Sequence, residues 1–119
     1  MKVSEYRNIV RSKYGAQKTE VDGITFDSKK EAKRYALLKQ LERFGMISDL
    51  RRQVSFELQP AYTNNQGKKV RAITYVADFV YVQDGKEIVE DTKGFKTKEY
   101  QIKRKLFEYR FPQYMFVES

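Results

Sequence analysis

The sequence predicts an α/β fold in which helices flank one central sheet. Two stretches, 28–44 and 97–110, carry apolar residues at helical spacing behind a capping residue. Strand-length stretches at 53–58, 75–94 and 113–117 alternate or run apolar, punctuated by Pro60, Asp84-Gly85 and Pro112. At 119 residues, 40% hydrophobic with 8 Phe and 9 Tyr, the chain suits a single domain, 1–119, around one core.

Composition narrows the function. Charged residues make up 34% of the chain, and the net charge is +8 with a pI near 9.6. A surface this basic serves solubility or meets a polyanion, usually nucleic acid. There is no Cys and no His. That excludes thiol catalysis, disulfides, the usual zinc sites and any enzyme built on a His base. Asp, Glu, Lys and Tyr remain for acid–base work. No apolar run approaches a membrane span, and the N-terminus lacks a signal peptide's apolar core. The expectation is a soluble, cytoplasmic protein with no membrane partner.

Residues 4–14 form a short basic helix in this reading, with Ser4 as N-cap, Gly15 as stop and a narrow stripe of Tyr6, Ile9 and Val10. With Lys13 and Lys18 nearby, it is either a helix packed on the core or an arm that touches phosphate or a partner subunit. Asp22-Gly23, between Thr19–Val21 and Ile24–Phe26, marks a small hairpin.

Ser28 opens the next helix, and Ser28-Lys-Lys-Glu31 fits a capping box. The expected buried stripe is Leu37, Leu38, Leu41 and Phe44, with Glu31 on its edge. Glu31 then has two roles open to it, as a cap or as a side chain aimed at the sheet. Val54, Phe56 and Leu58 face one side of a half-buried strand, Gln53–Leu58. Residues 61–68 read as a polar loop, and Lys68, Lys69 and Arg71 are a solvated tip or a phosphate contact. The last helix is capped by Thr97, with Ile102, Leu106 and Tyr109 expected in the core and Lys98 and Lys105 on one flank. Gln113–Val117 closes the sheet.

The stretch from Tyr75 to Gly94 carries the chemistry. Asp84-Gly85 suits a two-residue type I′ turn, so Gln83 faces Lys86 and, further along, Asp78 faces Asp91. Carboxylates placed so have Cβ atoms roughly 5 Å apart and repel unless a cation separates them. Asp78 lies inside the apolar run Val76-Ala-Asp-Phe-Val80, where a charge is costly unless paired or metal-bound. An edge-strand charge or an ion pair with Lys93 is the plainer alternative. Asp91 and Lys93 share a face, whereas Glu90 and Thr92 point to the other, so Asp91 rather than Glu90 is the second candidate ligand. Oxygen ligands without His or Cys favour Mg²⁺ or Mn²⁺. Such an ion acidifies water and polarises a phosphodiester.

A helix Glu31, then Asp78, then Asp91-x-Lys93 resembles the PD-(D/E)XK nuclease superfamily of restriction-endonuclease-like folds. The stretches Ala77-Asp-Phe-Val and Val89-Glu-Asp-Thr-Lys-Gly94 are similar to the core of phage-encoded junction-resolving endonucleases. From Tyr14 onward the chain is also similar to small phage and prophage proteins assigned to that superfamily. Ala77 stands where the name motif has Pro, and the doublet Glu90-Asp91 leaves a one-residue choice.

The resemblance implies a restriction-endonuclease-like core with a mixed sheet, Mg²⁺-dependent hydrolysis leaving a 5′-phosphate, and often a homodimer. The expected protein is therefore a metal-dependent DNA endonuclease. Asp78, Asp91 and Glu31 hold Mg²⁺ or Mn²⁺, and Lys93 assists the attacking water. Lys13, Lys18, Lys68, Lys69, Arg71, Lys98 and Lys105 hold phosphates. Branched or Holliday-junction DNA leads as substrate, followed by ordinary duplex. The rival is a non-catalytic nucleic-acid-binding or adaptor protein of a phage replication or packaging complex.

Overall fold

The computed structural model describes residues 18–92 and 96–119. The expected helix over 4–14, Lys13 and Lys93 lie outside the described residues. A hairpin of β1 (Thr19–Val21) and β2 (Ile24–Phe26) leads into α1 (Lys29–Arg43). The long strand β3 (Ser48–Gln59) follows, then a small ladder of β4 (Tyr62–Thr63) and β5 (Lys69–Val70). β6 (Ile73–Gln83), β7 (Lys86–Asp91), α2 (Lys98–Arg110) and β8 (Met115–Glu118) complete the chain. The main sheet has the order β3-β6-β7-β8. It is mixed: β3/β6 and β6/β7 are antiparallel and β7/β8 is parallel. Among the described residues no helix is long and apolar enough to cross a membrane.

Both Asp-Gly turns form as their chemistry dictates. Asp22 and Gly23 have φ of 53° and 76°, and Asp84 and Gly85 have 51° and 76°, the positive pair a type I′ turn needs. Gln83 pairs with Lys86 and Phe79 with Glu90, the expected register. Strand β3 is longer than Gln53–Leu58, and the expected loop 61–68 includes one side of the β4–β5 ladder. There, Asn64 Oδ1 accepts from the backbone N–H of Gln66 and Lys68, each at 3.0 Å.

Each helix covers one face of the sheet. Ala32, Tyr35 and Leu38 of α1 pack with Phe26, Phe79, Tyr81 and Ile88. Tyr100 and Phe107 of α2 pack with Phe56, Tyr75, Ala77, Val80 and Val89 on the other side. Two expected stripes need correction. On α1 the buried arc runs through Glu31, Ala32, Tyr35 and Leu38, with Leu41 partly buried, while Leu37 and Phe44 are 44% and 77% exposed. Phe44 is the C-cap, outside the helical repeat.

On α2, Ile102, Leu106 and Tyr109 are 59%, 37% and 86% exposed. The helix has a second stripe, Tyr100 and Phe107, extended by its C-cap Phe111, and this one faces the sheet. Phe107 sits 4.9 Å from Phe56, 5.5 Å from Tyr75 and 5.3 Å from Phe111, ring centroid to centroid. Spacing identifies a face, but the larger aromatic area decides which face is buried.

Candidate functional site

The candidate site lies where the edge strand β3 and its neighbour β6 change hand. Side chains two apart on a regular strand share a face. On β6, Tyr75 and Ala77 pack beneath α2, yet Phe79 and Tyr81 pack beneath α1. On β3, Val54 and Phe56 face α2, yet Arg52 stacks on Phe26 on the α1 side. The reversals fall between the pairs Arg52↔Phe79 and Val54↔Ala77, at Gln53 and Asp78. Gln53 has φ of 50°, a left-handed conformation that costs an L residue about 1–2 kcal/mol.

The reversal brings Asp78 to Glu31. Gln53 Nε2 donates to Glu31 Oε1 at 3.0 Å and reaches Asp78 Oδ1 at 3.4 Å. Asp78 Oδ2 accepts from the backbone N–H of Thr92 at 2.8 Å and from its hydroxyl at 2.9 Å. Both roles weighed for Glu31 involve this first turn: its N–H donates to Ser28 Oγ at 3.1 Å, capping α1, while its carboxyl turns into the sheet. That carboxyl is 6% exposed and is pushed up to about 7. Burial is the largest cause, followed by the charge of Asp78 and a hydrogen bond between the two carboxyl groups; Arg52 opposes them.

Asp91 is placed differently. It is buried, and its Oδ2 accepts from the Tyr75 hydroxyl at 2.6 Å. Burial, then the hydrogen bond and charge of Asp91, push the Tyr75 phenol up, so it stays a neutral donor; the charge of Asp78 adds to this. Asp78 thus meets Thr92 across the hairpin, because alternation on β6 reverses at Asp78 while β7 keeps its own. Among the described residues no three His, Cys, Asp or Glu side chains are placed to share one metal ion.

Glu90 is fully committed elsewhere. Arg34 Nε and Nη2 donate to its two oxygens at 2.6 and 2.9 Å, and Tyr81 and Ser119 hydroxyls add bonds of 2.7 and 2.9 Å. Burial pushes the Glu90 carboxyl up, but these bonds and the Arg34 charge outweigh it and hold the group below its ordinary value. Glu90 is a structural anion on the α1 side.

Hard oxygen donors on Glu31 and Asp78 fit Mg²⁺ or Mn²⁺, since Mg²⁺ is commonly held by one or two carboxylates with water and phosphate. Lys18, Lys68, Lys69, Arg71, Lys98 and Lys105 are exposed, and among the described residues none forms an ion pair. Arg52, Gln53 and the Asp78 contact of Thr92 were not among the expected site features. Nothing in the amino-acid pattern marks a strand reversal, and Gln53 carries no Gly or Asn signature for positive φ.

Residues 11–118 match a family model described as a protein of unknown function (DUF1064). No curated protein and no solved structure matches the chain.

Proposed function

The chain belongs to the DUF1064 family, and we propose that it is a metal-dependent endonuclease hydrolysing phosphodiester bonds in DNA. One observation carries this reading: the Glu31 and Asp78 carboxyl groups share the amide of Gln53 at a strand reversal, inside a chain of net charge +8. A carboxyl buried beside another carboxylate ionises at a cost, so Glu31 keeps a proton or shares a cation with Asp78. A bound Mg²⁺ or Mn²⁺ supplies the charge that acidifies the attacking water and polarises the scissile phosphodiester.

In this reading Glu31 and Asp78 hold the ion, and Thr92 fixes the rotamer of Asp78. Gln53 orients Glu31. Asp91, fixed by Tyr75, and Lys93 supply the charge and proton management expected of the Asp-x-Lys strand. The exposed Lys and Arg residues hold flanking phosphates. Branched or Holliday-junction DNA is the first substrate to try and linear duplex the second, and a homodimer is the expected assembly; these three follow from the nuclease resemblance.

Cleavage of branched and linear DNAs in Mg²⁺, against Ca²⁺ and EDTA, tests the reading. Asp78→Asn is expected to lower the cleavage rate at least ~100-fold, on the scale of losing one charge-stabilising group. A variant that cleaves like wild type would end the nuclease reading. A second reading, a non-catalytic nucleic-acid-binding or adaptor protein, is favoured by the commitment of Asp91 to Tyr75 rather than to a three-carboxylate group. Salt-sensitive DNA binding without cleavage in any divalent ion would select it.

A further inference from the structure

A phosphate approaching two carboxylates is repelled, so a site of this kind needs a cation beside its acids. Arg52 is a basic residue whose charge acts on Glu31. The reversal at Gln53 turns Arg52 onto the α1 side, where its guanidinium carbon lies 4.5 Å from the centre of the Phe26 ring. Phe26 is 1% exposed and fixed in the core.

The other half-buried arginines are each paired with carboxylates. Arg34 forks onto Glu90, and Arg104 bridges Glu108 and Glu118. Arg52 forms no ion pair among the described residues, and its buried Nε has no hydrogen-bond partner there. An unmet buried donor is costly to the fold. The contact with Phe26 holds the guanidinium in place, and its two Nη groups match two oxygens of one phosphate.

We propose that Arg52 binds a backbone phosphodiester and seats it beside the Glu31–Asp78 pair. The inference rests on the DNA-binding part of the reading above, and not on the metal. It makes Arg52 a substrate-binding residue that offsets the repulsion between the acids and the phosphate.

Two ligands separate this role from a structural one. Binding of a short fluorescent DNA duplex is followed by anisotropy across a KCl series in Ca²⁺. Mn²⁺ binding without DNA is followed by calorimetry. Arg52→Met keeps an apolar chain on Phe26 and removes the charge; Arg52→Lys keeps the charge and loses the fork.

Arg52→Met is expected to weaken DNA binding about tenfold and to lower the log–log salt slope by about one phosphate contact. The same variant should bind Mn²⁺ as well as wild type or a few-fold more tightly, since a competing cation is gone. Arg52→Lys should recover part of the DNA affinity. Wild-type DNA affinity and slope in Arg52→Met overturn the inference and leave the nuclease reading standing. Loss of both ligands in parallel assigns Arg52 a structural role and also overturns it. If wild type shows no salt-dependent DNA binding, the inference and the reading fall together.

Discussion

Glu31 sits in a tension between burial and function. Its carboxyl is pushed up to about 7 by burial and by Asp78. The folded protein therefore keeps a proton on Glu31 that the unfolded chain, with an ordinary value of 4.5, has released. The native state binds more protons in this window, so stability falls as pH rises from about 4.5 through about 7. Glu31→Gln removes that slope. Urea unfolding should show the variant more stable than wild type at pH 8 by on the order of 2 kcal/mol, with the gap closing towards pH 4.5. The same substitution should depress Mg²⁺-dependent cleavage, the usual trade when a strained polar site is relaxed. Equal pH dependence in both proteins would show that Glu31 does not titrate as its surroundings dictate.

At the scale of elements, α2 separates two apolar stripes that its sequence makes almost equivalent. Tyr100, Phe107 and Phe111 meet the sheet, whereas Ile102 and Leu106 line a groove of about 580 Å³ with Ala72, Ile73 and Thr74. Phe107 is 0% exposed and touches four rings besides Phe111. Phe107→Ala should cost about 3–5 kcal/mol in denaturant unfolding, the range for deleting a buried aromatic side chain. Ile102→Ala should cost less than about 1 kcal/mol, as surface substitutions do. Reversed magnitudes would mean that the helix is rotated onto its aliphatic face.

At the scale of the whole molecule, the proposed ion would link the acidic pair to folding stability. A cation at Glu31 and Asp78 must displace the Glu31 proton, so metal binding strengthens as pH rises. With a millimolar affinity, 10 mM Mg²⁺ adds about 1.4 kcal/mol to folding stability, or about 5–6 °C in melting temperature. Thermal melts should show that increment at pH 8, a smaller one at pH 6, and none in Asp78→Asn. An equal shift at both pH values, or one that survives the substitution, would locate the ion elsewhere.

Much of the architecture was legible because it rests on local chemistry. Ser28 and Thr97 cap the helices they were expected to cap, each accepting from a backbone N–H three residues on. Both Asp-Gly turns set the expected register, because Asp and Gly tolerate positive φ by their own local chemistry. The doublet Glu90-Asp91 splits between the faces by strand alternation, and Glu90 goes to Arg34. What the amino-acid pattern could not state is which of two competing faces is buried, as α2 shows. Nor could it state where alternation fails. The left-handed Gln53, the reversal at Asp78, and the meeting of Glu31 with Asp78 depend on how β3, β6 and α1 pack together, since only tertiary contacts hold a non-glycine residue in a disfavoured conformation. The sequence by itself singled out Glu31, Asp78 and Asp91 and the elements that carry them; the packing decided that Glu31 meets Asp78 through Gln53, that Thr92 joins them and that Asp91 goes to Tyr75 instead.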